Sequence, residues 1–457
     1  MNERKNVVDT IREWILHGSP LKVIISGYLI VILAGTLLLF LPISSRCDGV
    51  VPFSDCLFTA TSATCVTGLI RYDTYTCWTL FGQVVILGLI QIGGVGFMTL
   101  VISGMRITGK RIGIRSRILM QNSISAQQMG GIVATTRFVL RFTLLIEAIG
   151  AVLLSIRFVP KVGILRGIWF GIFHSISAFC NAGFDLCGTF SPGSSITTMV
   201  EDPLVNLVLV ALIVTGGLGF FVWKDLLEHK WHFNQLRLQS KLVIVTSVVL
   251  LIGGAAAIWL MEMGSSDFEQ LSVGGKILAS LFQSTTSRTA GFNTLDLSAM
   301  TSGAQMVMIF LMMIGGSPGS TAGGMKTTTL AVQLLSIRTV FMGEKSVRAF
   351  RRSIEDEVVR TASCVTALYL ILAIGSALIL SGLEQLPVMT TLFETVSAVA
   401  TVGVTLGITA HVGMVSKIIL ILLMIIGRAG SLTILMAAAD HVKKTPRSFP
   451  VEKVTVG

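Results

Sequence analysis

The sequence predicts an all-α polytopic membrane protein in which four span–pore-helix–span repeats surround a central pore. Three observations carry this. Of 457 residues, 52% are hydrophobic and 13% charged, with mean hydropathy +0.80, whereas a soluble domain is about a quarter charged. Stretches such as Val23–Leu41, Val205–Trp223, Leu242–Leu260 and Ala362–Leu380 reach the roughly 20 apolar residues a bilayer span needs. Four segments share a phenylalanine, a serine or threonine four residues on, and then a glycine loop: Phe58 to Gly68, Phe173 to Gly183, Phe282 to Gly291 and Phe393 to Gly403. The third is one residue shorter than the others.

The elements follow in chain order. Residues 1–20 carry Arg4, Lys5 and Arg12 and read as a cytoplasmic N-terminal segment. No small-x-small cleavage pattern follows the first apolar stretch at Leu41, Pro42 and Ile43, so that stretch reads as a retained span. Repeat 1 covers 21–110, repeat 2 covers 130–228, repeat 3 covers 240–340 with a broken second span, repeat 4 covers 358–440, and 441–457 is a cytoplasmic tail with Lys443, Lys444 and Arg447. Within each repeat, the segment beginning near Phe53, Ile168, Gly275 or Val388 is too short to cross a bilayer and must be re-entrant. Irregular backbone at membrane depth is tolerated only where protein buries it or it lines a wet cavity, so four such loops imply one shared aqueous path. Eight full spans and four half-helices result.

The formal charge of +11 does not indicate nucleic acid, because the basic residues cluster in alternate short loops. Arg106, Lys110, Arg111, Arg115 and Arg117 mark one such loop; Lys224, Lys230 and Arg237 mark a second; Arg338, Lys345, Arg348, Arg351 and Arg352 mark a third. With basic ends and an even span count, both termini are expected in the cytoplasm. The seven cysteines, Cys47, Cys56, Cys65, Cys77, Cys180, Cys187 and Cys364, show no metal-ligand spacing or even framework and read as ordinary small buried residues.

A dehydrated monovalent cation needs several oxygen ligands without a trapping charge, which rings of backbone carbonyls supply. Glycine lets those carbonyls turn inward. Thr67 and Gly68, and Thr401, Val402 and Gly403, resemble the Thr-Val-Gly core of potassium-channel filters; Asn181, Ala182 and Gly183, and Thr289, Ala290 and Gly291, are looser versions. The preceding half-helices point their partially negative C-terminal ends at the pore, which favours a cation. A second signature, Gly93 to Phe97 and Gly216 to Phe220, recurs near the inner end of the second span, with Gly427 to Gly430 in repeat 4.

In repeat 3 the same place holds a run from Gly315 through Gly316, Ser317, Pro318, Gly319, Ser320, Thr321, Ala322, Gly323, Gly324 and Met325 to Lys326. So many turn formers must break the helix beneath the filter, and a broken helix there can gate. The run nearly matches a phosphate-binding loop, but Met325 spoils the match and no strand precedes it. Arg428 lies inside the apolar stretch Lys417–Ala439, where a bare charge costs roughly 2.5–3.5 kcal/mol and normally faces a cavity or partner. Glu147 reads as a buried helix contact, Glu394 as a pore-helix brace, His174 as packing, and Arg288 as tying its loop to a nearby acid. No nucleophile with a base, acid pair or paired metal ligands at helical spacing appears in the spans, so an enzyme is not expected.

On these loops the chain resembles the Trk/Ktr/HKT superfamily of potassium transporters across residues 20–440. Because it starts directly at repeat 1, it is more similar to the Ktr-type membrane subunit (KtrB-like). The resemblance implies that Gly68, Gly183, Gly291 and Gly403 are filter glycines for K+, that Gly315 to Lys326 is an intramembrane gating loop, and that Arg428 sits in the pore below the filter. It further implies uptake of potassium across the bacterial cell inner (cytoplasmic) membrane, a homodimer with one pore per protomer, and a cytoplasmic ring of nucleotide-binding regulatory subunits (KtrA- or TrkA-like). Na+ is an activator or coupling ion in this picture. The longest hydrophilic loops are too short to fold as a nucleotide-binding domain, so regulation must come from a partner. The alternative reading is the potassium-conducting subunit of an ATP-driven potassium pump, which uses a similar four-repeat pore.

Overall fold

The computed structural model describes residues 20–46, 50–96, 132–430 and 452. Apart from Pro20 and Glu452, the expected terminal segments 1–20 and 441–457 lie outside the described residues, as do Phe97, the basic loop from Arg106 to Arg117, and the last parts of repeats 1 and 4.

One three-helix unit recurs four times. Its first helix is α1 (Pro20–Phe40) in repeat 1, α4 (Ile132–Val162) in repeat 2, α8 (Leu238–Glu262) in repeat 3 and α12 (Asp356–Glu384) in repeat 4. These four are the helices long and apolar enough to cross a membrane among the described residues. Each keeps large apolar side chains exposed at helical spacing: Leu29, Ile30, Leu33 and Leu37 on α1; Leu144, Leu145, Val152 and Ile156 on α4; Val248, Val249 and Ile252 on α8; Ile371, Ile374 and Leu378 on α12. In water such stripes would favour aggregation; in lipid they are the solvated face.

The second element is a short helix: α2 (Phe53–Thr64), α5 (Ile164–Cys180), α9 (Val273–Thr286) and α13 (Val388–Val399). At 1.5 Å per residue, the 12 residues of α2 rise about 18 Å, little more than half a bilayer core. Unlike the first helices they are buried, and Phe58, Phe173, Phe282 and Phe393 are all 0% exposed. Each short helix packs against the first helix of its own repeat.

The third element carries a break in each repeat. α3 (Leu80–Val95) ends at Gly96 with φ +90°, α6 (Pro203–Leu218) ends at Gly219 with φ +92°, and α14 (Met414–Ala429) ends at Gly430 with φ +86°. Only glycine enters this left-handed region without a Cβ penalty, so the glycine signature read from the sequence is where the helices stop. After Gly219 the chain resumes as α7 (Phe220–Glu228), bent by 90° from α6. In repeat 3, α10 (Ser302–Met313) and α11 (Thr327–Phe341) are separated by the whole glycine-rich run. Between repeats 3 and 4 lies a two-stranded hairpin, β1 (Arg348–Ala349) and β2 (Arg352–Ser353), whose turn residues Phe350 and Arg351 both have positive φ. That turn type matches the right-handed twist of paired strands.

One cysteine expectation fails. Cys77, at the end of the one-turn helix Thr74–Cys77, is disulfide-bonded, and Cys364 is exposed while Cys56, Cys65, Cys180 and Cys187 are free and buried.

Candidate functional site: a ring of four glycines

The four short helices converge on one point, and the shared serine or threonine explains how. The hydroxyl one turn after each phenylalanine holds the loop that follows. In repeats 1 and 4, the amides of Gly68 and Gly403 donate to Ser62 Oγ and Ser397 Oγ at 3.1 and 3.0 Å. In repeats 2 and 3, the Ser177 and Thr286 hydroxyls donate to the carbonyls of Phe184 and Phe292 at 2.7 and 2.6 Å. The backbone carbonyl of the same residue also accepts from the loop, from Thr67 N, Ala182 N and Val402 N at 2.8 Å and from Ala290 N at 2.9 Å. The shorter third loop makes this bond one residue earlier.

Each loop then alternates hand. Val66, Asn181, Thr289 and Thr401 have φ of +56°, +60°, +78° and +53°, and the glycines two residues on, Gly68, Gly183, Gly291 and Gly403, have φ of +94°, +71°, +85° and +94°. A non-glycine residue in that region is uncommon and strained, and the same strain at the same offset in four loops marks a functional conformation. The glycines close a ring. A Cβ on Gly68 would lie 2.6 Å from the Ala182 carbonyl oxygen, one on Gly183 2.8 Å from that of Ala290, one on Gly291 2.7 Å from that of Val402, and one on Gly403 would collide with that of Thr67. Each repeat therefore presents a carbonyl to the glycine of the previous one. The lining holds unpaired polar atoms: Thr64 Oγ1, Thr67 Oγ1, Thr401 Oγ1 and Asn181 Oδ1 are buried without a protein hydrogen-bond partner among the described residues. Buried polar atoms are normally satisfied, so such a group calls for water or an ion.

Below the ring lies the run from Gly315 to Lys326. A Cβ on Gly323 would strike the Thr401 hydroxyl, and one on Gly324 would lie 2.9 Å from the Ala400 carbonyl oxygen. Thr321 Oγ1 donates to Phe179 O at 2.9 Å, Ser317 N donates to Gly217 O at 2.9 Å, and Phe220 N donates to Gly319 O at 2.9 Å, tying the run to repeat 2. Ser317 and Thr327 share a hydroxyl contact of 2.9 Å, Gly316 O accepts from Thr327 N at 3.1 Å, and Lys326 Nζ caps Ala322 O at 3.0 Å. Ser320 packs beside Gly316.

Arg428 completes this layer. Its guanidinium forks, one nitrogen donating to Thr321 O and the other to Gly93 O and, at 3.4 Å, to Gly94 O. It thus bridges the end of α3, the repeat 3 run and its own α14. No acid pairs with it among the described residues.

Other charged residues divide. Glu394 accepts from Thr409 and, at 2.7 Å, from Thr405, bracing the loop after the fourth glycine. Glu147 accepts from Gln91 Nε2 at 3.1 Å. Arg288 corrects the expectation of an acidic partner: it donates to Ser247 O and Ser247 Oγ, both at 3.2 Å, and has no carboxylate within ion-pair reach among the described residues. The backbone and hydroxyl oxygens of one serine on α8 thus take the place of the expected acid. Sequence reasoning missed a clasp between repeats 1 and 4. Asp55 at the start of α2 pairs with Lys417 of α14 and with Arg71 at 3.2 Å, accepts from Tyr72 at 3.1 Å, and Arg71 also donates to Thr409 O and Val412 O. Asp55 and Lys417 are 362 residues apart, so no local pattern could have paired them.

Residues 23–446 match the family described as TrkH, cation transport protein. The chain belongs to that family. It is 39% identical over 450 residues to Ktr system potassium uptake protein B of Bacillus subtilis, covering 98% of this chain and 99% of that protein. It is 37% identical over 447 residues to the potassium/sodium uptake protein NtpJ of Enterococcus hirae, covering 96% of this chain and 97% of that one. The crystal structure of the potassium transporter TrkH from Vibrio parahaemolyticus superposes with a TM-score of 0.71 at 18% identity, covering 94% of this chain and 85% of that structure. Within the TrkH family, the chain is similar over its whole length to Ktr system potassium uptake proteins and has the helical fold of the family.

Proposed function

We propose that this TrkH-family protein takes up potassium ions through the glycine ring, which acts as the selectivity filter, and that the run from Gly315 to Lys326 together with Arg428 is the gate beneath it. The observation that carries the reading is the closure of Gly68, Gly183, Gly291 and Gly403 into one ring in which each glycine faces a neighbour's carbonyl. Carbonyl oxygens of Thr67, Ala182, Ala290 and Val402 would replace the hydration shell of a K+ ion, with the hydroxyls of Thr67, Thr289 and Thr401 and the Asn181 amide beside them. Four helix C-termini aimed at the ring favour a cation, each carrying roughly half a negative charge. The relatives are named for potassium or for potassium and sodium uptake, which supports potassium as cargo and Na+ as activator or coupling ion.

In the gate, the run is held by bonds among backbone groups and small hydroxyls and by the charged donors Lys326, on Ala322 O, and Arg428, on Thr321 O, whose bonds must pass to water or other oxygens on opening. Arg428 holds the closed arrangement and opposes passage of a cation below the ring. The expected topology places both termini in the cytoplasm of a bacterial cell membrane. Two features support it: the disulfide at Cys77, since disulfides persist in oxidising compartments, and the basic residues Lys224, Lys230, Arg338, Lys345 and Arg348 in connections between repeats. The Ktr-type likeness supports a homodimer and a cytoplasmic nucleotide-binding regulatory subunit.

The test is rubidium uptake into proteoliposomes driven by a potassium gradient, comparing internal K+ with internal Na+, and wild type with Gly403→Ser. Uptake driven by K+ alone, with selectivity lost in the variant, is expected. Selectivity unchanged in Gly403→Ser would remove the ring from the filter.

A further inference from the structure

Behind the second loop of the ring, three buried side chains of different chemistry meet. His174 on α5, Asp185 in the loop after Gly183 and Cys187 at the start of a 3-10 turn place one ligand atom each within 4.8 Å of one another. His174 and Cys187 are 0% exposed and Asp185 is 7% exposed. His174 stacks on Phe158 at 5.0 Å, which fixes the ring plane. Its Nδ1 lies 2.8 Å from Phe170 O, a contact that requires the proton on Nδ1 and leaves the Nε2 lone pair facing Cys187 Sγ at 3.5 Å. The Asp185 carboxylate is oriented in turn by Cys187 N at 2.9 Å and by the Ser195 hydroxyl.

We infer that His174, Asp185 and Cys187 form a site for a borderline divalent transition metal such as zinc, separate from the potassium path. Zinc–nitrogen and zinc–sulfur bonds of about 2.05 and 2.3 Å at a tetrahedral angle put nitrogen and sulfur roughly 3.6 Å apart, and the observed separation is 3.5 Å. The donor set, one imidazole, one thiolate and one carboxylate, suits zinc or cobalt and is wrong for potassium, a hard cation that takes oxygens. His174 and Asp185 each have a partner that aims them, as metal ligands do. Binding is balanced: the metal replaces the Cys187 thiol proton, which is released to solvent, the imidazole keeps its Nδ1 proton, and the ion's two positive charges meet one thiolate and one carboxylate. The Leu186 amide, now 3.3 Å from Nε2, gives up that contact. A bound ion would staple residues 185–187 to α5, two residues beyond Gly183, and so stiffen the ring from behind.

The experiment titrates cobalt(II) into purified full-length protein in detergent, in a Cys364→Ala background that removes the exposed cysteine. One cobalt per chain with a thiolate-to-cobalt absorption band, displaced by zinc and absent in Cys187→Ser, is the expected result. Asp185→Asn keeps the thiolate and should weaken cobalt binding at least about tenfold, so the inference stays testable should Cys187→Ser not fold. No thiolate band in the parent, or an equal band in Cys187→Ser, overturns the site. Zinc added outside proteoliposomes should slow rubidium uptake by the parent and not by Cys187→Ser; binding without this effect overturns the staple. Cobalt absorption is read without an ion gradient, so its failure is separate from any failure of the transport reading.

Discussion

Replacing Arg428 by alanine should open the gate. The guanidinium makes charge-assisted bonds to Thr321 O and to Gly93 O, with a longer third to Gly94 O. A hydrogen bond to a charged group contributes about 1.5–3 kcal/mol, so losing the two shorter ones removes roughly 3–6 kcal/mol from the arrangement that holds the run against α3. If both bonds break on opening, the closed-to-open ratio falls by roughly 10²–10⁴, at 1.4 kcal/mol per factor of ten. Uptake then rises until the pathway is always open. Arg428→Lys keeps a point charge but loses the fork, because an ammonium cannot reach two divergent carbonyls in one plane. It should fall between wild type and alanine. Initial rates of rubidium uptake in proteoliposomes, with size-exclusion profiles as the folding control, measure this. A folded Arg428→Ala protein whose rate equals or falls below wild type would refute the gate role.

Three further outcomes follow from the same geometry. Ser397→Ala leaves the Gly403 amide without its acceptor at a cost of about 1–3 kcal/mol, and potassium-over-sodium discrimination in uptake should drop while Ser54→Ala, at the far end of α2, leaves it unchanged. Asp55→Asn strands the buried Lys417 ammonium beside Arg71 and should cost about 3–5 kcal/mol; thermal unfolding followed by size exclusion should show the loss, with partial recovery in Asp55→Asn/Lys417→Met. Gly216→Ala drives a methyl into the Phe179 carbonyl and should lower the melting temperature, whereas Gly253→Ala, with nothing near its Cβ, should hold or raise it by the roughly 1 kcal/mol alanine gains over glycine in a helix.

What could be read from the sequence was what repeats locally. Phe58, Phe173, Phe282 and Phe393 with a hydroxyl one turn later are a pattern within one helix, and the hydroxyl's task of holding the next loop acts over six or seven residues. The helix breaks at Gly96, Gly219 and Gly430 fall in the recurring glycine signature, whereas apolar length by itself does not reveal a positive-φ backbone. Contacts between repeats were invisible. The order in which the glycines close, the Asp55–Lys417–Arg71 clasp and the reach of Arg428 to Gly93 all join residues far apart in the chain. The cysteines misled for the same reason: the disulfide at Cys77 and the meeting of Cys187 with His174 depend on which loops fold together.

The most direct measurement of the central claim is a crystal structure of the protein grown in rubidium or thallium, with anomalous scattering to locate the ion. The account predicts a peak on the axis of the ring, in contact with the carbonyl oxygens of Thr67, Ala182, Ala290 and Val402. Peaks found only elsewhere in the protein, with the ring empty in a preparation that transports rubidium, would contradict it.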